Sequence, residues 1–392
     1  MALKFNTYTL TFSFILYIFS FFSYSQNLYW AGFAFIGNKD QSFRYPVATE
    51  IFEQDNTVLS STLKLTLSSI KRTDVNFVFE SGKISEGDAK AVAFALADES
   101  IERTLDKFGV TTKYTIYGQV LIFDFIENKI LANYPVVAIS AVTSKEMPSE
   151  KKDKDILKTM YLDISDEASI FSQFAKMFEN VRVKESASIA TIGVRDVIFN
   201  EKALQGMPER LKKNGVFKSK IAQELESSIA SFHNVPLIPF TIGEALGSKG
   251  SAGLATRFDD NVSKELTLPE KDYTFDIIVR GFIKKEQASD AQVQHLWAGF
   301  IELKLLGFEN SVIFSQKFRH VEEAVFSKVS EAKILDDWVL NEIVIANLLI
   351  GVTEQIKIKD TEKLTKFVKT GTNVKEIIKN FEKIEEKFAQ CL

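Results

Sequence analysis

Apolar residues recur along this chain at two periods, and the switches between them mark out the elements. Alternating or near-continuous apolar runs predict strands at 28–36, 74–80, 113–125 and 129–142. The same signal returns at 188–199, 234–240, 273–283, 295–307 and 311–320. Spacings of three and four predict helices at 58–70, where Leu59, Leu63, Leu67 and Ile70 share a side, and at 166–178 through Ile170, Phe174 and Phe178. Further helices are predicted at 218–232 (Ile221, Leu225, Ile229, Phe232), 336–356 and 373–389 (Ile377, Phe381, Ile384, Phe388). The alanine-rich run 89–107 also reads as a helix. Ser85 offers a cap before it, Val92, Leu96, Ile101 and Leu105 lie roughly along one side, and Gly109 supplies a stop. Residues 147–155, with five consecutive charges from Lys151 to Asp155, read as a solvated connector.

Strand, helix, strand, helix, a long antiparallel hairpin and a closing helix thus occur twice. The predicted fold is α/β (α+β), with two similar mixed-sheet domains at 26–183 and 187–356 and a charged linker with an amphipathic helix over 357–392. The centre of the second domain is 273–320, whose last two strands turn through Phe308-Glu309-Asn310-Ser311. The terminal helix is expected to dock on its own domain, and its lysines also permit peripheral contact with a membrane. Trp30-Ala31-Gly32-Phe33 and Trp297-Ala298-Gly299-Phe300 are identical but fall at non-equivalent places in the two plans, so the identity is read as chance.

Residues 1–25 carry a different pattern. Lys4 is followed by an uncharged run with its apolar heart at 12–22, then Ser23 and Ser25 before Gln26. This predicts a secretory signal peptide cleaved after Ser25, and hence an exported, periplasmic or secreted chain. An uncleaved anchor is the alternative. No second run is expected to span a bilayer, because acidic residues crowd the apolar stretch 343–352. The only cysteine, Cys391, rules out an internal disulfide and is read as a solvated thiol on the tail. A net charge of −4 gives no electrostatic case for nucleic acid. The 34 phenylalanines are assigned to packed cores.

Candidate chemistry is sparse. His233, His295 and His320 are not at ligand spacing, so no metal site is expected. Neither a nucleophile elbow nor any other catalytic set stands out, and no cofactor is expected. The one loop that invites a ligand contains Gly247, Lys249, Gly250 and Gly253, where glycines let backbone amides converge on an anion and the lysine adds charge. It lacks the Gly-Lys-Ser/Thr ending of a phosphate loop, which makes a surface loop the better reading. Asp259 and Asp260 follow it as weak cation ligands or caps.

The element order of 188–356 resembles the domain shared by the curli-secretion lipoprotein, the TolB amino-terminal domain and the penicillin-binding-protein activator lipoproteins. It runs from the strand 189–199 through a helix with Leu225 and Ile229 to the strand 235–240, and then to Phe275-Asp276-Ile277-Ile278-Val279-Arg280-Gly281, the hairpin and the closing helix. Tyr114-Thr115-Ile116-Tyr117-Gly118 resembles the same glycine-ended strand in the first half. No lipid-bearing cysteine follows the leader, which departs from the family's anchoring. The resemblance implies a non-enzymatic envelope component that binds a protein partner. The competing expectation is an exported hydrolase using Glu244, Asp259 or Asp260 beside the glycine-rich loop.

Overall fold

The computed structural model describes residues 26–36, 39–79, 90–106, 109–181, 190–212, 215–241, 253–258, 263–288, 292–327 and 337–392. Residues 1–25, where the sequence predicts a leader, lie outside this set. Mixed α/β architecture is what the chain adopts: two sheets, each with helices packed on it.

The first sheet holds β1 (Gln26–Ile36), β2 (Val75–Val78), β3 (Lys90–Asp106), β4 (Gly109–Asp124) and β5 (Lys129–Ser144) in the order β2-β1-β3-β4-β5. β1 runs parallel to β2 and β3, whereas β3, β4 and β5 form an antiparallel meander. The helices on this sheet are α1 (Pro46–Gln54), α2 (Val58–Ser69), α3 (Glu150–Leu162) and α4 (Ile170–Asn180). The second sheet is β6 (Ile192–Phe199) together with the meander β9 (Tyr273–Ala288), β10 (Gln292–Leu306) and β11 (Val312–Ser327), β6 being parallel to β9. Between β6 and the meander come the one-turn helices α5 (Glu201–Leu204) and α6 (Glu209–Lys212), then α7 (Val216–His233) and the hairpin β7 (Gly253–Phe258) and β8 (Ser263–Thr267). The chain ends in α8 (Asp337–Ile358), α9 (Thr361–Phe367) and α10 (Val374–Gln390).

The β7–β8 hairpin lies within the second half in sequence but pairs with the first sheet. Ala34–Ile36 of β1 face 256–258 of β7, and Lys129 of β5 faces Thr267 of β8. These pairings close the ring β1-β3-β4-β5-β8-β7. Side chains alternate across a strand, so both faces of this sheet are buried. Phe33, Phe35, Val92, Phe94, Leu96, Val120 and Ile122 point to the helices, where Phe171, Phe174 and Phe178 meet them. Ala34, Ala91, Ala93, Ala95, Leu121 and Phe123 point into the ring against Leu266. Phe94 stacks edge-on against Phe171 at 5.6 Å and Phe174 at 5.8 Å, and the phenylalanines here are core residues as expected.

Three sequence expectations are corrected by this packing. Residues 90–106 form a strand rather than a helix, because the alanines fill the narrow interior while Val92, Phe94 and Leu96 alternate outward. The charged run is not a loop but the first turns of α3, capped by Ser149 accepting from the Lys152 amide. Its Asp153 faces inward, accepting from the Tyr114 hydroxyl at 2.7 Å and pairing with Arg103. Residues 234–240 form no ladder; the Leu237 amide donates to Asn133 of β5 and the Ile238 amide to Ile192 of β6, tying the two sheets together.

In the second core one face of the sheet meets α7, α8 and α10. α8 corrects another expectation, since Trp338–Ile358 is long and apolar enough to cross a membrane. Its Val344, Ile345, Leu348, Leu349, Val352 and Ile356 are all buried here. α10 starts at Asn373, whose side chain accepts from the Glu376 amide, and its stripe of Ile377, Phe381, Ile384 and Phe388 is buried against the sheet. Phe381 lies 5.9 Å from Phe314. Cys391 is buried in the same core and is not a solvated thiol.

Candidate functional site

Charged side chains are buried where the two sheets meet. β3 and β4 supply one wall, and α7 and α8 the other. A bulge between Leu96 and Asp98 makes β3 change register, so that Asp98 and Glu99 follow one another into different surroundings. Further along, Glu102 is 8% exposed. Lys220 and Glu224 stand one helical turn apart on α7 and share its face. Glu342 is an acid near the start of apolar α8.

Lys220 bridges the halves. Its ammonium lies 3.4 Å from Glu102 and 2.9 Å from Glu342. Lys113 stands 3.8 Å from the other oxygen of Glu102, and Arg210 3.8 Å from Glu342. Tyr117 donates to Glu224 at 2.6 Å. Burial pulls Lys220 down, yet Glu342 and Glu102 hold it above its ordinary value. Burial pushes the carboxyls of Glu342, Glu224 and Asp98 up, against Lys220, Tyr117 and Arg44 respectively. The Tyr117 hydroxyl is raised by burial and by the Glu224 charge.

Beside this cluster Glu99 reaches the start of α1. It accepts from the amides of Val47 at 3.0 Å and Ala48 at 2.8 Å, and from the Tyr161 hydroxyl at 2.8 Å. The carboxylate therefore caps a helix from a neighbouring strand, where the helix dipole favours negative charge. Burial still pushes its carboxyl up to about 7.

Acids with raised pKa are the raw material of proton-transfer chemistry. In this place the geometry opposes catalysis. The cavity among Glu102, Lys113, Tyr117, Lys220, Glu224 and Glu342 is about 20 Å³, room for a water rather than a substrate. Each of its acids already holds a cation or a hydroxyl. The arrangement can fasten the two halves together by ion pairs that span them.

The glycine-rich loop and its acids fall largely outside what the structure describes. Gly247, Lys249, Gly250, Glu244, Asp259 and Asp260 lie outside the described residues, and Gly253 opens β7, where it pairs with Thr267. Among the described residues no group of three or more His, Cys, Asp or Glu is arranged to hold a metal ion. The histidines are dispersed: His233 sits 3.2 Å from the Thr353 carbonyl, His295 stacks on Trp297 and His320 contacts Glu322. Sequence reasoning missed the buried cluster. Its one legible mark was Glu342, an acid standing just ahead of an otherwise apolar helical run.

The second open feature is a face. On the far side of the second sheet, Val321 of β11, Ala298 of β10 and Ile283 of β9 are opposite one another on a single rung. Ile283 and Val321 are each 47% exposed, and Ile198 of β6 on the same face is 38% exposed.

No family of known proteins matches this chain, and no curated protein is significantly similar to it. Among solved structures, a minor lipoprotein from Acinetobacter baumannii is similar over 42% of this chain and 92% of its own length, at 9% identity and a TM-score of 0.22.

Proposed function

We propose that this chain is an exported, non-catalytic binding or assembly component of the cell envelope that acts through protein–protein contacts. The observation that carries the reading is the exposed apolar rung of the second sheet, Ile283–Ala298–Val321, on a sheet whose other face packs against α7, α8 and α10. Contiguous exposed apolar surface marks interaction sites in folded proteins. The leader-like pattern of residues 1–25 supports export. The ion-paired cluster, with room for a water, supports a structural use for the buried acids rather than turnover.

The test is capture of the tagged mature chain from its own crosslinked envelope fraction, read by mass spectrometry, beside an Ile283→Asp variant. The expected result is one stoichiometric protein partner that the variant loses. Enzyme-like turnover of a substrate by the purified chain overturns the reading, and so does a partner indifferent to Ile283→Asp.

A further inference from the structure

The open face has a charge order written along its edge. β11 is the last strand of the second sheet, and among the described residues no strand pairs with its outer side. Its residues on the open face are fixed by their partners on β10. Lys317 is opposite Glu302, Arg319 opposite Phe300, Val321 opposite Ala298 and Glu323 opposite Leu296. Basic residues precede Val321 and an acidic one follows it.

Such an order is complementary to itself when the strand is turned antiparallel. Residues directly opposite in an antiparallel pair lie on the same face, and a two-fold axis makes each contact occur twice. With the axis at Val321, Arg319 of each strand lies opposite Glu323 of the other, and Val321 meets its counterpart. The apolar rung Ile283–Ala298–Val321 then runs unbroken across six strands. Other registers are poorer. Moving the axis by one residue sets Val321 against Arg319 or Glu323 and breaks the apolar rung, even though an axis at residue 320 sets Lys317 opposite Glu323. Moving it by two sets Arg319 or Glu323 on itself, and like charges directly opposite are destabilising.

We infer that β11 is a self-pairing edge and that the partner it fits is a second copy of this chain, joined antiparallel about Val321. This deepens the protein-contact reading above and rests on it. In the single chain Arg319 donates to the Val368 carbonyl at 3.1 Å, and Glu323 accepts from Gln294. Pairing exchanges the neutral acceptor of Arg319 for a carboxylate, which makes the stronger hydrogen bond. It also covers edge groups that otherwise need water.

Sedimentation velocity of the mature chain over a concentration series tests this. A reversible dimer is expected, weakened about tenfold or more by Val321→Lys, which places two ammonium groups on the axis. Arg319→Glu weakens it comparably, and Arg319→Glu with Glu323→Arg restores it, an outcome that a merely misfolded variant does not give. Val321→Cys supplies an independent reading. Its dimer crosslinks under mild oxidation, whereas the parent, whose Cys391 is buried, does not. A monomer up to about 100 µM with no crosslink, or a dimer indifferent to all three changes, overturns the inference. The assembly reading fails separately, through the capture experiment, because that experiment scores a different protein.

Discussion

The two sheets share one ladder plan and differ in how they are covered. β1-β3-β4-β5 and β6-β9-β10-β11 each begin with a parallel pair and continue as an antiparallel meander. Each has a glycine on its third strand where helices or rings press close, Gly118 and Gly299. The first sheet is sealed on its second face by β7 and β8, and small Ala34, Ala91, Ala93 and Ala95 make room inside. On the second sheet the corresponding face carries Ile198, Ala298, Ile283 and Val321 among Glu302, Lys304 and Lys317, and among the described residues no hairpin lies over it. Topology therefore leaves the burial of a sheet's second face undecided. Side-chain size and charge on that face decide it.

The largest expected effect comes from opening the closed face. Leu266→Ala is expected to cost about 2–5 kcal/mol in urea unfolding, against roughly 0.5 kcal/mol or less for Ile283→Ala on the open face. Equal costs for the two would break the comparison. Next is the fastening between the halves: Lys220→Met leaves Glu342 and Glu102 buried beside fewer cations and is expected to cost about 3 kcal/mol, the lower end for a broken buried pair. Adding Glu342→Leu should recover part of that loss, and a purely additive double variant would show that the pair is not coupled.

Smaller effects sharpen the likeness between the sheets. A Cβ at Gly118 would stand 2.2 Å from the Phe94 ring, and one at Gly299 2.7 Å from Val344. Gly118→Ala and Gly299→Ala should each cost about 1–3 kcal/mol, the former more, because Phe94 is held between Phe171 and Phe174. The last effect is a pH slope rather than a single cost. Glu99 has a folded pKa of about 7, above its ordinary value of 4.5. A raised folded pKa means that this group's contribution is present below about pH 4.5 and is lost as pH rises through 7. Stability should therefore fall by up to about 1.4 kcal/mol per pH unit between those limits on this account, and Glu99→Gln should flatten that part of the profile. An unchanged profile in the variant would assign the slope to other groups.

Much of the second sheet was legible because its strands alternate and its helices keep a single apolar stripe. The hairpin turn at Phe308–Asn310, the helix of Ile221, Leu225 and Ile229, and the Asn373 cap all stand where periodicity and capping placed them. The first sheet was less legible at β3. A strand buried on both faces has no polar side to reveal its period, and a run of alanines mimics a good helix former. The charged start of α3 misled for the reverse reason: Asp153 faces inward and finds Tyr114 and Arg103, partners 39 and 50 residues away that no local pattern records. The ion-pair cluster was hidden likewise, because its members come from β3, β4, α7 and α8 and meet only when the sheets are assembled. The apolar rung was in plain view as residues, but whether Val321 and Ile283 are covered depends on the rest of the fold.

The ring that closes the first sheet has a consequence for the order in which the molecule can be made. Its amino-terminal staves are synthesised first, yet β7 and β8 come more than a hundred residues after β5 ends. Until residues 253–267 have left the ribosome, the alanine-lined face of β1 and β3 has no cover. Contacts so distant in sequence form slowly, and incomplete apolar faces are what aggregation and chaperones act on. The first half of this chain is thus finished by the second, and its biogenesis must tolerate a wait.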